Sequence, residues 1–275
     1  IGPTADDLTT ETVAGVLGAP AMTVVEANPE LAALAPELLE KSEKAARERL
    51  EAVVARAKKA GVDCDTIVRE GEDAYQYIVD EAVKNKITMI IVGRLGRKGL
   101  KRLVMGSTTA RVIGHTQCSV LVVPHLATVE FKSVVVATDG SKYSAAAASE
   151  AIGIAKRNGS RLTVVAVVPG EIAMPMDADF VSVQRDKLSD QEMQFAEKNA
   201  KAVKEAAKKE GVDAQAFVMN GKPAEAIIEC AEDAKADLVV VGSHGRSGLE
   251  KLLMGGVTER VLVLSPCAVL VVKGA

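Results

Sequence analysis

Unbroken apolar runs alternate with amphipathic stretches along the second half of the chain. Val134-Val135-Val136-Ala137, Leu162–Val168, Leu238–Val241 and Val269–Val272 are β-branched-rich runs of this kind. Such runs mark strands buried on both faces, as in a parallel sheet. Helical patterns lie between them. Tyr143–Arg157 is rich in Ala and follows Ser141, whose hydroxyl can cap a helix N-terminus. Gln191–Lys209 carries apolar residues at helical spacing, Pro223–Ala234 follows Lys222 with Pro at a first helical position, and Gly256–Leu264 is a short last helix. The order β-α-β-α-β-α-β-α-β predicts a doubly wound α/β sheet with right-handed crossovers. Ligands of such sheets sit beyond the carboxyl ends of the strands, where the strand order reverses. The ends to watch are Thr138-Asp139-Gly140 and Gly242-Ser243-His244-Gly245.

The chain repeats itself. Gly93–Val123 matches Gly242–Val272 without a gap at an offset of 149 residues, including Gly96/Gly245, Arg97/Arg246, Met105/Met254, Gly106/Gly255 and Cys118/Cys267. Upstream, Gly61-Val62-Asp63 matches Gly211-Val212-Asp213 at an offset of 150. A period that long is a whole domain copied once, not a solenoid. Residues 1–126 and 127–275 are the expected domains, joined by a short link after Pro124, so the halves are expected to pack together.

With 275 residues, 48% of them apolar, the chain can bury two cores. A formal charge of −3 argues against a nucleic-acid coat, and 3% aromatic residues against a base-stacking platform. No 18-residue apolar run predicts a membrane span, and Ile1–Asp7 lacks the basic flank and apolar core of a signal peptide. Four cysteines without a C-x-x-C pair fit core fillers in a reducing cytoplasm.

The glycines carry the candidate chemistry. Gly242-x-x-Gly245 follows a buried strand, and after nine residues Gly255-Gly256 opens a helix; Gly93-x-x-Gly96, nine residues and Gly106-Ser107 repeat the pattern. Glycines let backbone turn tightly and approach a ligand, and a helix start offers free N–H groups to an anion. The arrangement outlines a phosphate cradle. G-x-x-G, nine residues, then Gly and Ser or Thr resembles the motif of the universal stress protein family, as does Val136-Ala137-Thr138-Asp139-Gly140-Ser141 at the first strand end. The likeness spans nearly the whole chain as a tandem pair.

The resemblance implies five-stranded parallel sheets in the order 3-2-1-4-5, with helices on both faces. It also implies an intramolecular pseudo-dimer meeting through Val120–Val123 and Val269–Val272, and binding of ATP (with Mg2+) or AMP. By the same resemblance Asp139 would hold the ribose hydroxyls and the backbone near Val167 would meet the adenine, with Ala137 and Thr138 also in the nucleotide site. Gly242, Gly245, Gly255 and Gly256 would line the phosphates, with Ser243, Arg246, Val257 and Thr258 also in the nucleotide site. In the first copy Ala27 falls near the adenine, with Gly93, Gly96, Arg97, Gly106, Ser107 and Thr108 along the phosphates. Both copies depart from the family pattern. Gly256 stands where the family has Ser or Thr, so one hydroxyl donor is lost. In the first copy Ile1-Gly2-Pro3-Thr4 is a truncated or degenerate first strand, Ala5 falls where Asp139 sits, and the stretch to Gly61 is 16 residues shorter than its counterpart.

His244 reads as a loop residue near the phosphates, because the first copy has Leu95 there. Arg94, Arg97, Lys98, Lys101 and Arg102 form a charge cluster beside the first loop. Neither G-x-x-x-x-G-K-[ST] nor G-x-G-x-x-G nor H-E-x-x-H occurs. The expected function is therefore a cytoplasmic nucleotide sensor or switch with at most slow ATP hydrolysis, an unknown protein partner and homodimerisation of tandem chains. The rivals are a nucleotide-independent scaffold and an ATP-dependent enzyme of the same fold group.

Overall fold

The computed structural model describes residues 10–13, 21–25, 36–69, 73–94, 105–125, 127–170, 179–246 and 254–274, with side chains from Glu43 onward except over residues 179–189. The chain divides into two compact units, Ile1–His125 and Leu126–Ala275.

In the second unit the described elements are β6 (Ser133–Ala137), α4 (Lys142–Asn158), β7 (Arg161–Pro169), α5 (Asp179–Lys209), β8 (Ala214–Gly221), α6 (Pro223–Asp233), β9 (Leu238–Gly242), α7 (Gly256–Leu264) and β10 (Ala268–Val272). The strands pair in parallel in the order β8-β7-β6-β9-β10, which is 3-2-1-4-5 in the unit's own count. Val134-Val135-Val136, Leu238-Val239-Val240 and Ala268–Val271 are buried, as unbroken apolar runs require. Strand β8 differs. It borders only β7 within this unit, and Gln215, Phe217 and Asn220 are exposed. An edge strand covered on one side needs no unbroken apolar run, which is why none marks it.

Helix α4 starts as its sequence requires. The Ser144 N–H donates to Ser141 Oγ at 3.1 Å, and Gly159 ends the helix in the left-handed region at φ 66°. Helix α5 begins twelve residues before the expected Gln191, because no Gly or Pro interrupts residues 179–209.

In the first unit the described elements are β1 (Thr10–Val13), β2 (Ala21–Val25), α1 (Pro36–Lys59), β3 (Cys64–Thr66), α2 (Ala74–Lys84), β4 (Met89–Gly93), α3 (Ser107–His115) and β5 (Ser119–Val123). The β2–β3 and β4–β5 pairs are parallel, whereas β1 runs antiparallel to β2. Only residues 14–20 separate β1 from β2, and a parallel crossover needs a dozen residues or more. The expected strand at Ile1–Thr4 lies outside the described residues.

The two cores differ at a matched place on α2 and α6. Lys86 and Lys235, both at positive φ, and the bonds Ile87 N–H to Ala82 O and Ala236 N–H to Ala231 O align α2 with α6 at 149 residues. Glu81 therefore corresponds to Cys230, and Arg69 to Met219 when counted from the matched Gly-Val-Asp. Glu81 is buried and pairs with Arg69, with Asn85 Nδ2 also donating to its Oε2 at 3.1 Å. The Arg69 guanidinium holds the Glu81 carboxyl below the usual carboxylate range, against a desolvation that would raise it. In the second unit Met219 and Cys230 line a cleft of about 500 Å³ instead, and burial pushes the Cys230 thiol up to about 11. All four cysteines are free thiols.

Candidate functional site

The carboxyl ends of β6 and β9 lie side by side at the centre of the second sheet, with α4 leaving β6 and α7 following β9 through the Gly loop. This is the reversal point where doubly wound sheets bind ligands.

Three backbone bonds and one hydroxyl fix the base of the loop. The Ser243 N–H extends the ladder to Val272 O at 2.9 Å, and the Gly255 N–H closes the loop onto Ser243 O at 2.9 Å. The Glu259 N–H donates to Gly255 O at 3.0 Å, starting α7. Thr258, buried in the first turn of α7, donates its hydroxyl to Gly242 O at 2.7 Å. The first unit repeats all four. Arg94 N–H reaches Val123 O at 3.0 Å, Gly106 N–H reaches Arg94 O at 2.9 Å, Ala110 N–H reaches Gly106 O at 3.0 Å, and Thr109 Oγ1 donates to Gly93 O at 2.9 Å. The counterpart of Thr258 is therefore Thr109 rather than Thr108, and in both units this threonine ties helix to strand.

Neither Gly255 nor Gly106, the N-caps of α7 and α3, gives its helix a side-chain cap. The first-turn N–H groups of Gly256 and Val257, and of Ser107 and Thr108, are left for other acceptors. Val257 is exposed at this helix start, as is Ser107 in the first unit.

Asp139 joins the first strand end to the Gly loop. Its Oδ1 accepts the Ser141 N–H at 3.0 Å, and its Oδ2 accepts the Arg246 N–H at 2.8 Å. Burial pushes the Asp139 carboxyl up. The hydrogen bonds from Ser141, Ser144 and Arg246 outweigh that and hold it below the usual carboxylate range. Each oxygen keeps a second lone-pair direction, so an ionised Asp139 can still accept from hydroxyl donors. Neighbouring Thr138 is buried and its hydroxyl lies 3.4 Å from Ser144 Oγ; Ala137 and Val167 are half-buried at their strand ends.

The loop glycines are set by close approach. A Cβ on Gly242 would come within 2.7 Å of the Tyr143 carbonyl carbon, and one on Gly245 within 2.9 Å of Asp139 Oδ2. A Cβ on Gly256 would meet nothing within 4 Å. The missing hydroxyl at Gly256 is thus a chemical departure, not a steric necessity.

Several neighbours carry no local sequence signal. Tyr143 packs against His244, with ring centroids 5.1 Å apart, and His244 Nδ1 lies 3.2 Å from the buried Ser243 Oγ. Glu192 and Phe195 on α5 meet the Arg246 guanidinium, at 3.0 Å and 5.1 Å respectively. Asn199, one turn further along the same helix, lies against Gly140, where a Cβ would come within 2.5 Å of Nδ2. The 192, 195, 199 spacing on a long helix is the one trace of this wall in the sequence. Of the residues expected in the first unit, Gly93, Gly106, Ser107 and Thr108 gather at its loop base. Ala27, Gly96, Arg97, Lys98, Lys101 and Arg102 lie outside the described residues. Among the described residues no three His, Cys, Asp or Glu side chains gather to hold a metal, and no helix is long and apolar enough to cross a membrane.

A doubly wound parallel domain with a Gly loop, an uncapped helix start and a carboxylate at the reversal point defines a doubly wound α/β class. The universal stress protein family model matches residues 12–124 and 130–273, and the chain belongs to that family as a tandem of two such domains. Universal stress protein MJ0531 of Methanocaldococcus jannaschii is 39% identical over 145 residues, which are 52% of this chain and 82% of that protein. Universal stress protein YxiE of Bacillus subtilis is 33% identical over 153 residues, 52% of this chain and 99% of the relative. The crystal structure of a universal stress protein from Archaeoglobus fulgidus has the same fold over 87% of this chain and 80% of its own, at TM-score 0.64 and 22% identity.

Proposed function

We propose that the second unit binds an adenine nucleotide, ATP or AMP, and that the first unit does so through the same loop. The observation that carries this reading is the Asp139 constellation. A half-buried, ionised carboxylate stands beside a Gly loop whose Gly242 and Gly245 leave no room for a Cβ and whose following helix starts without a side-chain cap. Asp139 would accept from ribose hydroxyls, Val167 would border the base, and the N–H groups of Gly256 and Val257 would meet the phosphates. With ATP, Mg2+ would enter as the counterion of the phosphates.

The nucleotide acts as a signal in this reading. Binding shifts the protein toward one of its states, and that state selects a partner. Any hydrolysis is slow in this reading, because His244 lies against Ser243 and Tyr143 and Arg246 pairs with Glu192, so neither stands as a placed general base or arginine finger.

The test is to denature the purified chain and identify released small molecules by mass spectrometry, then titrate AMP and ATP by calorimetry. Adenine nucleotide released or bound, with Asp139→Ala weakening it, supports the reading. No nucleotide released and no heat with either ligand refutes it and leaves a scaffold role.

A further inference from the structure

Arg246 is held at both ends. Its N–H donates to Asp139 Oδ2 at 2.8 Å, and its guanidinium lies 3.0 Å from Glu192 Oε2 and 5.1 Å from the Phe195 ring centroid. One residue of the Gly loop thus spans from the first strand end to α5. Glu192, Phe195 and Asn199 follow one another along a single face of that helix. Both partners of the ion pair are partly exposed, at 43% for Arg246 and 44% for Glu192, so the pair is exchangeable rather than locked.

This geometry constrains what the loop offers an anion. Arg246 is the cation on the described part of the second Gly loop, and Glu192 already neutralises it. A phosphate group at the loop either draws the guanidinium away from Glu192 or sits near a carboxylate that repels it. Both outcomes oppose negative charge, and they oppose a triphosphate more than a monophosphate. We propose that Glu192 is a specificity-determining residue of the second unit, setting the balance between nucleotides of low and high phosphate charge through its hold on Arg246. The inference rests on the nucleotide reading above and adds to it the side chain that tunes the choice. Phe195 supports the same hold, because stacking keeps the guanidinium over α5 when the carboxylate alone would release it.

The experiment is calorimetric titration of the full chain with AMP and with ATP, each in EDTA, for wild type, Glu192→Gln, Arg246→Gln and the double variant. Glu192→Gln keeps the side-chain shape and removes its charge. An exposed pair of this kind corresponds to a shift of about 1.5- to 5-fold. The expected result is that Glu192→Gln tightens ATP relative to AMP by that factor at the second unit's site, leaving the first unit's site unchanged. The gain should shrink in the Arg246→Gln background and in 0.5 M salt. A loss of helix packing would move both affinities together, so the ATP-to-AMP ratio separates specificity from structure. If wild type binds both nucleotides and the ratio stays within 1.3-fold in Glu192→Gln, the inference is overturned and the nucleotide reading stands. If wild type binds neither nucleotide, the reading falls and takes the inference with it.

Discussion

Replacing Gly245 with Ala isolates the Asp139 contact. The added Cβ would lie 2.9 Å from Asp139 Oδ2, where ordinary contacts begin near 3.4 Å. The oxygen or the loop must therefore retreat by about half an ångström. That oxygen accepts the Arg246 N–H at 2.8 Å, so the retreat stretches the bond that holds loop to strand end. A hydrogen bond to a charged acceptor contributes about 1.5–3 kcal/mol. If nucleotide binding needs the loop in this position, the affinity of the second unit should fall by about 10- to 150-fold. Gly256→Ala is the internal control, because nothing lies within 4 Å of its new methyl and its binding should stay within about twofold. Calorimetric titration with AMP reads both variants, and far-ultraviolet circular dichroism checks that the sheet persists. Gly245→Ala binding as tightly as wild type would refute the argument, most directly if Gly256→Ala were the weaker of the two.

Other outcomes follow from the same contacts. Gly256→Ser restores the hydroxyl that Ser107 supplies in the first unit, and AMP affinity at the second unit should rise by about 2- to 10-fold through one added hydrogen bond of about 0.5–1.5 kcal/mol; an unchanged dissociation constant would count against the phosphate assignment. The Asp139 carboxyl is held below its ordinary value of 3.8, so its contribution is complete above that value and is lost as pH falls through the folded value. Binding should therefore be flat in its Asp139-dependent part from pH 5 to 8, and an inflection there that Asp139→Asn removes would contradict the hydrogen-bond account. Arg69→Met strands the buried Glu81 carboxylate and should destabilise the first unit by about 1–3 kcal/mol in urea unfolding, whereas Arg69→Met with Glu81→Cys, the second unit's own pair, should recover most of the loss. Glu81 is likewise depressed from 4.5, so its stabilisation is present above about pH 4.5 and lost on further acidification. Glu81→Gln should flatten that acid limb.

The central strands were legible because a strand buried on both faces cannot carry polar residues, and Val134–Val136 and Leu238–Val241 carry none. Strand β8 was not, because Gln215, Phe217 and Asn220 face outward at the sheet edge. The Gly loop was legible because the chain prints it twice, and the four bonds at its base repeat in both units. The full length of α5 escaped notice because its apolar spacing becomes regular only near Gln191. The antiparallel β1 could have been argued from the shortness of residues 14–20 alone. Contacts such as Arg246 to Glu192, 54 residues apart, are set by how α5 lies across β7 and β8, and no local pattern announces them. The same holds for Tyr143 beneath Gly242.

A duplicated chain faces a hazard that a single domain does not, since each helix has a near twin to which it could dock during folding. The Arg69–Glu81 pair opposes that exchange. Were α2 to settle on β8, Glu81 would press its charge against Met219 with no guanidinium to receive it. Were α6 to settle on β3, Cys230 would leave Arg69 facing a thiol. Each half thus carries a chemical key that fits its own sheet, and the newly made polypeptide can sort two look-alike sets of parts by charge.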